Sequence, residues 1–207
     1  MTRHNAPDTA ITPSALTIVV ACVVTFLAQK YAGISMLRVF ALWPLSFERI
    51  GTGNFELWQL LTYGFLHVSW PHLIFNMLAL ITIGCVLESL WGSARFVVFY
   101  LVCVIVAGIV QTLFTGLGFS GSLVVGASGG VFGLLIGYAL KFPRQMILPL
   151  IPPVPMWASA LVVIYALAAI VLGFSGKGPY IAHFAHLGGM LGGILLIWLA
   201  PRSFPIR

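Results

Sequence analysis

The chain has 207 residues, of which 60% are hydrophobic and 7% charged, with a formal net charge of +6. A soluble domain carries about 25% charged residues, so this chain has too few to cover a water-soluble globule, and the composition calls for a membrane as solvent. The ten basic residues lie scattered at the ends of apolar runs, with no basic stripe interleaved with aromatics. That distribution argues against nucleic acid and for charges that orient helices in a bilayer.

An apolar stretch of about 20 residues can cross a bilayer as a helix. Six such spans are predicted, over 14–33, 72–91, 95–115, 126–140, 156–174 and 181–200. Residues 1–13 form a short tail ahead of the first span. That span is long and no small-residue cleavage site directly follows it, so it is expected to be a retained signal anchor. The segment 34–71 mixes Trp43, Phe47, Phe55, Trp58 and Trp70 with Arg38, Glu48, Arg49 and Glu56, and lacks an uninterrupted spanning run. This mixture suits a bilayer interface and predicts short helices lying near one leaflet.

Span two opens with His67-x4-His72-x3-Asn76 and ends near Glu88; span three carries Gln111. The fourth span is short, follows the glycine-rich stretch Gly116–Val125, opens with Gly126-Ala127-Ser128-Gly129, and stops at Lys141 and Pro143. A helix that starts below the membrane surface needs protein or water around its first turn, so a wet cavity is expected there. Pro149, Pro152, Pro153 and Pro155 punctuate the link into span five, where a helix would break. Span six opens with Ala182-His183-Phe184-Ala185-His186 and continues to Gly189. Cys22, Cys85 and Cys103 sit inside apolar runs with no CxxC spacing and read as small apolar fillers.

The whole chain is thus expected to be a single all-α polytopic membrane domain with both termini in the cytoplasm. With that orientation, Arg3, Arg95, Lys141, Arg144, Arg202 and Arg207 lie inside, against Lys30, Arg38, Arg49 and Lys177 outside. Spans two, four and six then all start on the outer side. Their three polar clusters fall at one depth, although polar and ionisable groups are costly there and point to function.

The helix faces sharpen this convergence. His72 and Asn76 are four residues apart on one face. Gly129, Gly133 and Gly137 repeat on span four, while Gly188 with Gly192 and Gly189 with Gly193 repeat on span six. Such small-xxx-small stripes allow close helix approach and would bring Ser128 toward His186, as activation of a serine by a base requires. No acid lies on span four or six, and Glu88, 16 residues after His72, lies roughly 24 Å along the helix. The pattern therefore predicts a Ser–His dyad and not a triad. His72, Asn76 and the Ser128 backbone amide could donate to an oxyanion, and Gly126 and Gly129 would admit substrate backbone. His183, one turn before His186, is the competing base; His67 reads as a structural loop residue.

HxxxxHxxxN, GxSG and AHxxGxxxG, on the second, fourth and sixth spans, together resemble a bacterial rhomboid protease over about residues 14–200. The resemblance implies a six-helix bundle with an interfacial first loop and an intramembrane serine endopeptidase that needs no cofactor or metal. It implies Ser128 as nucleophile, His186 as base, and His72 and Asn76 as oxyanion-hole side chains. Gly126, Gly129, Phe132 and Gly189 would support them. Substrates would be transmembrane segments of other proteins, and the compactness and family style point to a bacterial inner membrane. Gly84-x3-Glu88 and Gln111 also sit where such proteins commonly have them.

Three departures stand out. Trp58-Gln59 replaces the usual Trp-Arg pair of the first loop, so its anchoring does not carry over. Phe132 replaces a tyrosine that stacks on the histidine, and His183 is an extra histidine. Two other readings compete. A catalytically silent relative that binds membrane clients would usually lack the serine or histidine. A haem or metal protein built on paired histidines leaves GxSG and Asn76 unexplained.

Overall fold

The structure, a computed structural model, describes residues 10–44, 54–119, 123–149, 152–175 and 181–206. Expectations that rest on Arg3, Phe47, Glu48, Arg49, Lys177 and Arg207 lie outside these residues. The described chain is a helical bundle: α1 (Pro13–Ala32), α2 (Ile34–Phe40), α3 (Gln59–Thr62), α4 (Trp70–Ala79), α5 (Cys85–Trp91), α6 (Ser93–Gly116), α7 (Ser128–Lys141), α8 (Ala158–Ser175) and α9 (His183–Leu199). A π-helical turn, Leu80–Gly84, joins α4 to α5, so Trp70–Trp91 runs as one apolar rod. Four rods are long and apolar enough to cross a membrane: α1, Trp70–Trp91, α6 and α8. The helices α7 and α9 are apolar but shorter.

Local sequence sets the ends. Pro13 opens α1, where its missing N–H costs nothing, and Gly33, at φ 62°, closes it. The Ser69 hydroxyl caps α4 by accepting from the His72 amide, with Pro71 in the first turn. Gly92, at φ 80°, makes the one-residue corner between α5 and α6. Glu88 does the rest of the work at this end of the bundle. It is 2% exposed. One of its oxygens accepts from Ser14 N and Ser93 Oγ, and the other from Ala15 N and Thr12 Oγ1. The carboxylate thus satisfies the orphan amides at the start of α1 and ties them to the α5–α6 corner.

The centre of the bundle is α9, packed between α6 and α7. Its two glycine stripes serve different neighbours. A Cβ on Gly189 would run into the Gly129 carbonyl, and one on Gly193 would lie 2.9 Å from the Gly133 carbonyl, so this stripe faces α7. Gly188 and Gly192 lie against Ala107, Val106 and Cys103 of α6. The α7 stripe turns mainly the other way: Gly129 against Ala107, Gly133 against Cys103, and Gly137 against Trp91. Toward α9, Gly133 meets the Gly189 carbonyl at 3.0 Å and Gly129 the Ala185 carbonyl at 3.9 Å. The expected close approach of α7 and α9 is therefore made mostly by α9's glycines, while the stripe on α7 seats it on α6 and α5.

The outward faces are apolar. On α8, Val163, Leu167 and Val171 are all more than half exposed, a surface that hydrocarbon and not water solvates. The proline-rich link before α8 includes a short antiparallel pair, β1 (Met146–Ile147) and β2 (Met156–Trp157). The prolines break the helix here, and the residues flanking them pair as strands.

Candidate active site

The segment leading to Ser128 is fixed by backbone bonds to two other parts of the chain. Leu42 and Val124 exchange both amide–carbonyl bonds, at 3.0 and 2.9 Å. Gly126 N donates to Tyr63 O at 3.0 Å, and Ala127 N donates to His67 Nε2 at 3.4 Å. Ser128 is then the first residue of α7. Gly126 takes φ 131°, and a Cβ there would sit 2.7 Å from His72 Cε1 and 2.8 Å from its Nε2. Only glycine lets the His72 ring press against the backbone just ahead of the serine.

Ser128 Oγ lies 2.9 Å from His186 Nε2. Both residues are half-buried, so the pair is covered yet reachable. Phe132, one turn along α7, stacks on the imidazole with ring centroids 4.1 Å apart and planes at 5°. Its far side meets Tyr165 of α8 at 5.5 Å. Gln111 of α6 fixes the first turn of α9 by accepting from Ala185 N at 3.0 Å. Phe184 stacks on Phe114 at 3.9 Å and holds the same end.

Asn76 is buried, and its amide donates to the His72 carbonyl at 2.9 Å. An asparagine amide carries two N–H donors, so one remains for a further acceptor. His67 is fully buried between Gln29 and the serine loop. Its backbone N–H donates to Gln29 Oε1, and its carbonyl accepts from Gln29 Nε2. Burial pushes the His67 imidazole down to about 4, and the neighbouring His72, edge-on at 5.0 Å, adds to the shift. His183 lies edge-on to His186 with centroids 6.4 Å apart, and its buried Nε2 has no partner. The Ser128 hydroxyl meets His186, not His183. Among the described residues, no three His, Cys, Asp or Glu side chains converge as a metal site would need. The acid buried within the bundle, Glu88, has both oxygens occupied at α1 and Ser93.

Sequence reasoning missed two residues that hold this site. Gln59 is 1% exposed and makes four bonds to the first loop. Its Oε1 accepts from Trp43 N and Glu56 N, and its Nε2 donates to Val39 O and Asn54 O. Loop anchoring is therefore retained, by an amide in place of the guanidinium. Gln29 was passed over as one polar residue near the end of an apolar run, which was the signal available. Residues 54–203 match the family model described as Rhomboid domain.

Proposed function

We propose, from the premise that the chain belongs to the rhomboid family, that it is an intramembrane serine endopeptidase with Ser128 as nucleophile and His186 as general base. The family is one of multi-pass membrane proteins that generally act as serine proteases on transmembrane substrates. The observation that carries the reading is the 2.9 Å contact between Ser128 Oγ and His186 Nε2. That distance is a hydrogen bond with the base in position to take the hydroxyl proton.

In this scheme the neutral His186 carries its proton on Nδ1 and accepts through Nε2. As Ser128 Oγ attacks the scissile carbonyl carbon, its proton passes to Nε2. The oxyanion takes donors from Asn76, His72 and the backbone amide at the start of α7, where the helix dipole also favours negative charge. His186 then returns the proton to the leaving amine and an acyl-Ser128 ester remains. A water, deprotonated by His186, attacks the ester, and the proton goes back to Ser128 Oγ as the acid product leaves. Phe132 holds the imidazole plane through the stack, and Gly126, Gly129 and Gly189 allow the close backbone approaches around the pair.

The substrate class follows from the surroundings. The dyad sits in a lipid-facing bundle, so the peptide comes from a transmembrane segment or its edge. A buried helical peptide bond must unwind before attack, so helix-breaking residues near the cut should favour cleavage. The proposed setting is a bacterial cell membrane with both chain ends in the cytoplasm. The test is cleavage of single-span model substrates by purified protein in liposomes, wild type against Ser128→Ala. Cleavage that vanishes in the variant is expected. A folded wild type that neither cleaves nor reacts with a serine-directed fluorophosphonate would instead fit a relative that only binds membrane clients.

A further inference from the structure

The π-turn Leu80–Gly84 interrupts the second span between two buried polar residues, Asn76, which bonds the carbonyl of the His72 that presses on the serine loop, and Glu88 at the start of α1. A π-turn accommodates one more residue than the α-helix it interrupts. An α-helix advances about 100° per residue. Asn76 and Glu88 are twelve positions apart, which in an unbroken helix leaves them about 120° apart around the axis. With one residue absorbed, eleven effective steps leave them about 20° apart.

The burial pattern follows the shortened count. Leu73, Asn76, Leu80, Gly84, Glu88 and Trp91 are all buried. Counted with one residue removed inside the turn, they fall at alternating three- and four-residue steps, the seam of a helix packed along one side. An unbroken helix would instead bring Ile83, Leu87 and Leu90 to that seam; Leu87 is buried on either count, but Ile83 is half-buried and Leu90 is 39% exposed. It would also swing Glu88 away from Thr12, Ser14 and Ala15. The surplus residue points outward: Thr82 is exposed, and its hydroxyl donates to Leu78 O at 2.8 Å, with Ala79 O at 3.3 Å. Those are carbonyls of the kind a π-turn leaves short of partners.

We infer that the π-turn at Leu80–Gly84 is a register device that absorbs one surplus residue, Thr82, so that a single helix can present Asn76 to the nucleophile and Glu88 to α1 together. Thr82 is a positioning residue and touches no reacting atom. The catalytic half of this inference rests on the protease reading, and the register half does not.

The test is a pair of length variants at one place in the full chain: deletion of Thr82, and insertion of one Ala between Thr82 and Ile83. Deletion should convert the turn to a plain α-helix with the same seam. Insertion should rotate the two ends by about another 100°. Two readouts are taken in detergent: the thermal unfolding midpoint, and the rate at which a fluorophosphonate labels Ser128. The deletion is expected to fold with a midpoint near wild type and to label within about threefold of it; the insertion should label more than about tenfold more slowly. An unfolded deletion variant, or an insertion tolerated as well as the deletion, would overturn the register claim. A deletion variant that folds but does not label would overturn the positioning of Asn76. A wild type that does not label would sink the protease reading and the catalytic half with it, while the midpoints would still decide the register half.

Discussion

Gln59 lets the departure from the family's usual loop residue be tested by arithmetic. Its carboxamide accepts from two backbone amides, Trp43 N at 3.2 Å and Glu56 N at 3.1 Å, and donates to two carbonyls, Val39 O at 3.3 Å and Asn54 O at 3.1 Å. A buried hydrogen bond contributes about 1 kcal/mol net, and orphaning a buried group costs about 1–3 kcal/mol. Gln59→Ala removes four bonds, so a loss of about 4 kcal/mol is expected. The loop it anchors carries Leu42, which pairs with Val124 four residues before the serine, so cleavage should fall with stability. Gln59→Arg is the sharper variant. A guanidinium has five donors and no acceptor, so it would face the Trp43 and Glu56 amides donor to donor. It should therefore destabilise the protein despite being the family's commoner residue. The assay is equilibrium unfolding in mixed micelles alongside initial cleavage rates. A Gln59→Arg variant as stable as wild type, or a Gln59→Ala variant within about 0.5 kcal/mol of it, would refute this account of the loop.

Three further outcomes are expected. Gly126→Ala puts a methyl where the His72 ring lies, at a φ of 131°. It should lower kcat by about 10–100-fold, as sub-ångström displacements of catalytic groups do, which steady-state cleavage would measure. Glu88→Gln leaves one acceptor oxygen where two carboxylate oxygens serve four donors. It should cost about 2–4 kcal/mol in unfolding experiments. For His67, whose imidazole is held down at about 4 against an ordinary 6.5, burial favours the neutral form. Its contribution is then full above pH 6.5 and is lost as pH falls through 4, up to about 3 kcal/mol. Unfolding midpoints measured from pH 7 to 4 should drop more steeply for wild type than for His67→Gln; equal slopes would contradict the assignment.

The parts of this fold visible in the sequence are those where physics acts locally or by class. Apolar runs, the prolines ahead of span five, and the polar clusters around His72, Ser128 and His186 are readable because each residue type is costly or impossible elsewhere. What was hidden depends on partners distant in the chain. Gln59 reads as a lost arginine until Trp43 and Val39 are beside it. Gln29 reads as a stray polar residue until His67 meets both ends of its amide. The four-residue glycine repeat on α7 was visible, yet its direction was not, because a glycine stripe reports that something packs closely and not which helix does so. The π-turn left a trace in the spacing of Asn76 and Glu88, but using it requires knowing that both must face inward.

The distribution of buried polar bonds also separates what is fixed from what is loosely held. Ser128, His186, His72 and Asn76 stand on α4, α7 and α9; the starts of α7 and α9 are held by hydrogen bonds from other segments, and that of α4 by its own cap. His67 and Tyr63 hold the approach to α7, Gln111 holds α9, and Ser69 caps α4. In a low-dielectric setting such bonds are strong and leaving them unmade is expensive, so the proposed dyad and oxyanion donors are built on a rigid frame. The helix α8 differs. Ser159 and Ala158 bond to Pro143 and Gln145 at its start, and Phe174 packs among Phe114, Phe119 and Phe184 near its end. Between these points it meets the site through Tyr165 on Phe132, with 22% of its span buried against 50% for Trp70–Trp91 and for α6. Dispersion contacts of that kind yield in small increments, whereas the polar bonds under the other three helices are lost whole. The α8 side of the bundle thus rests on dispersion contacts, Tyr165 on Phe132 and Gly173 against Phe184 and His183, whereas the starts of the other three helices rest on polar bonds.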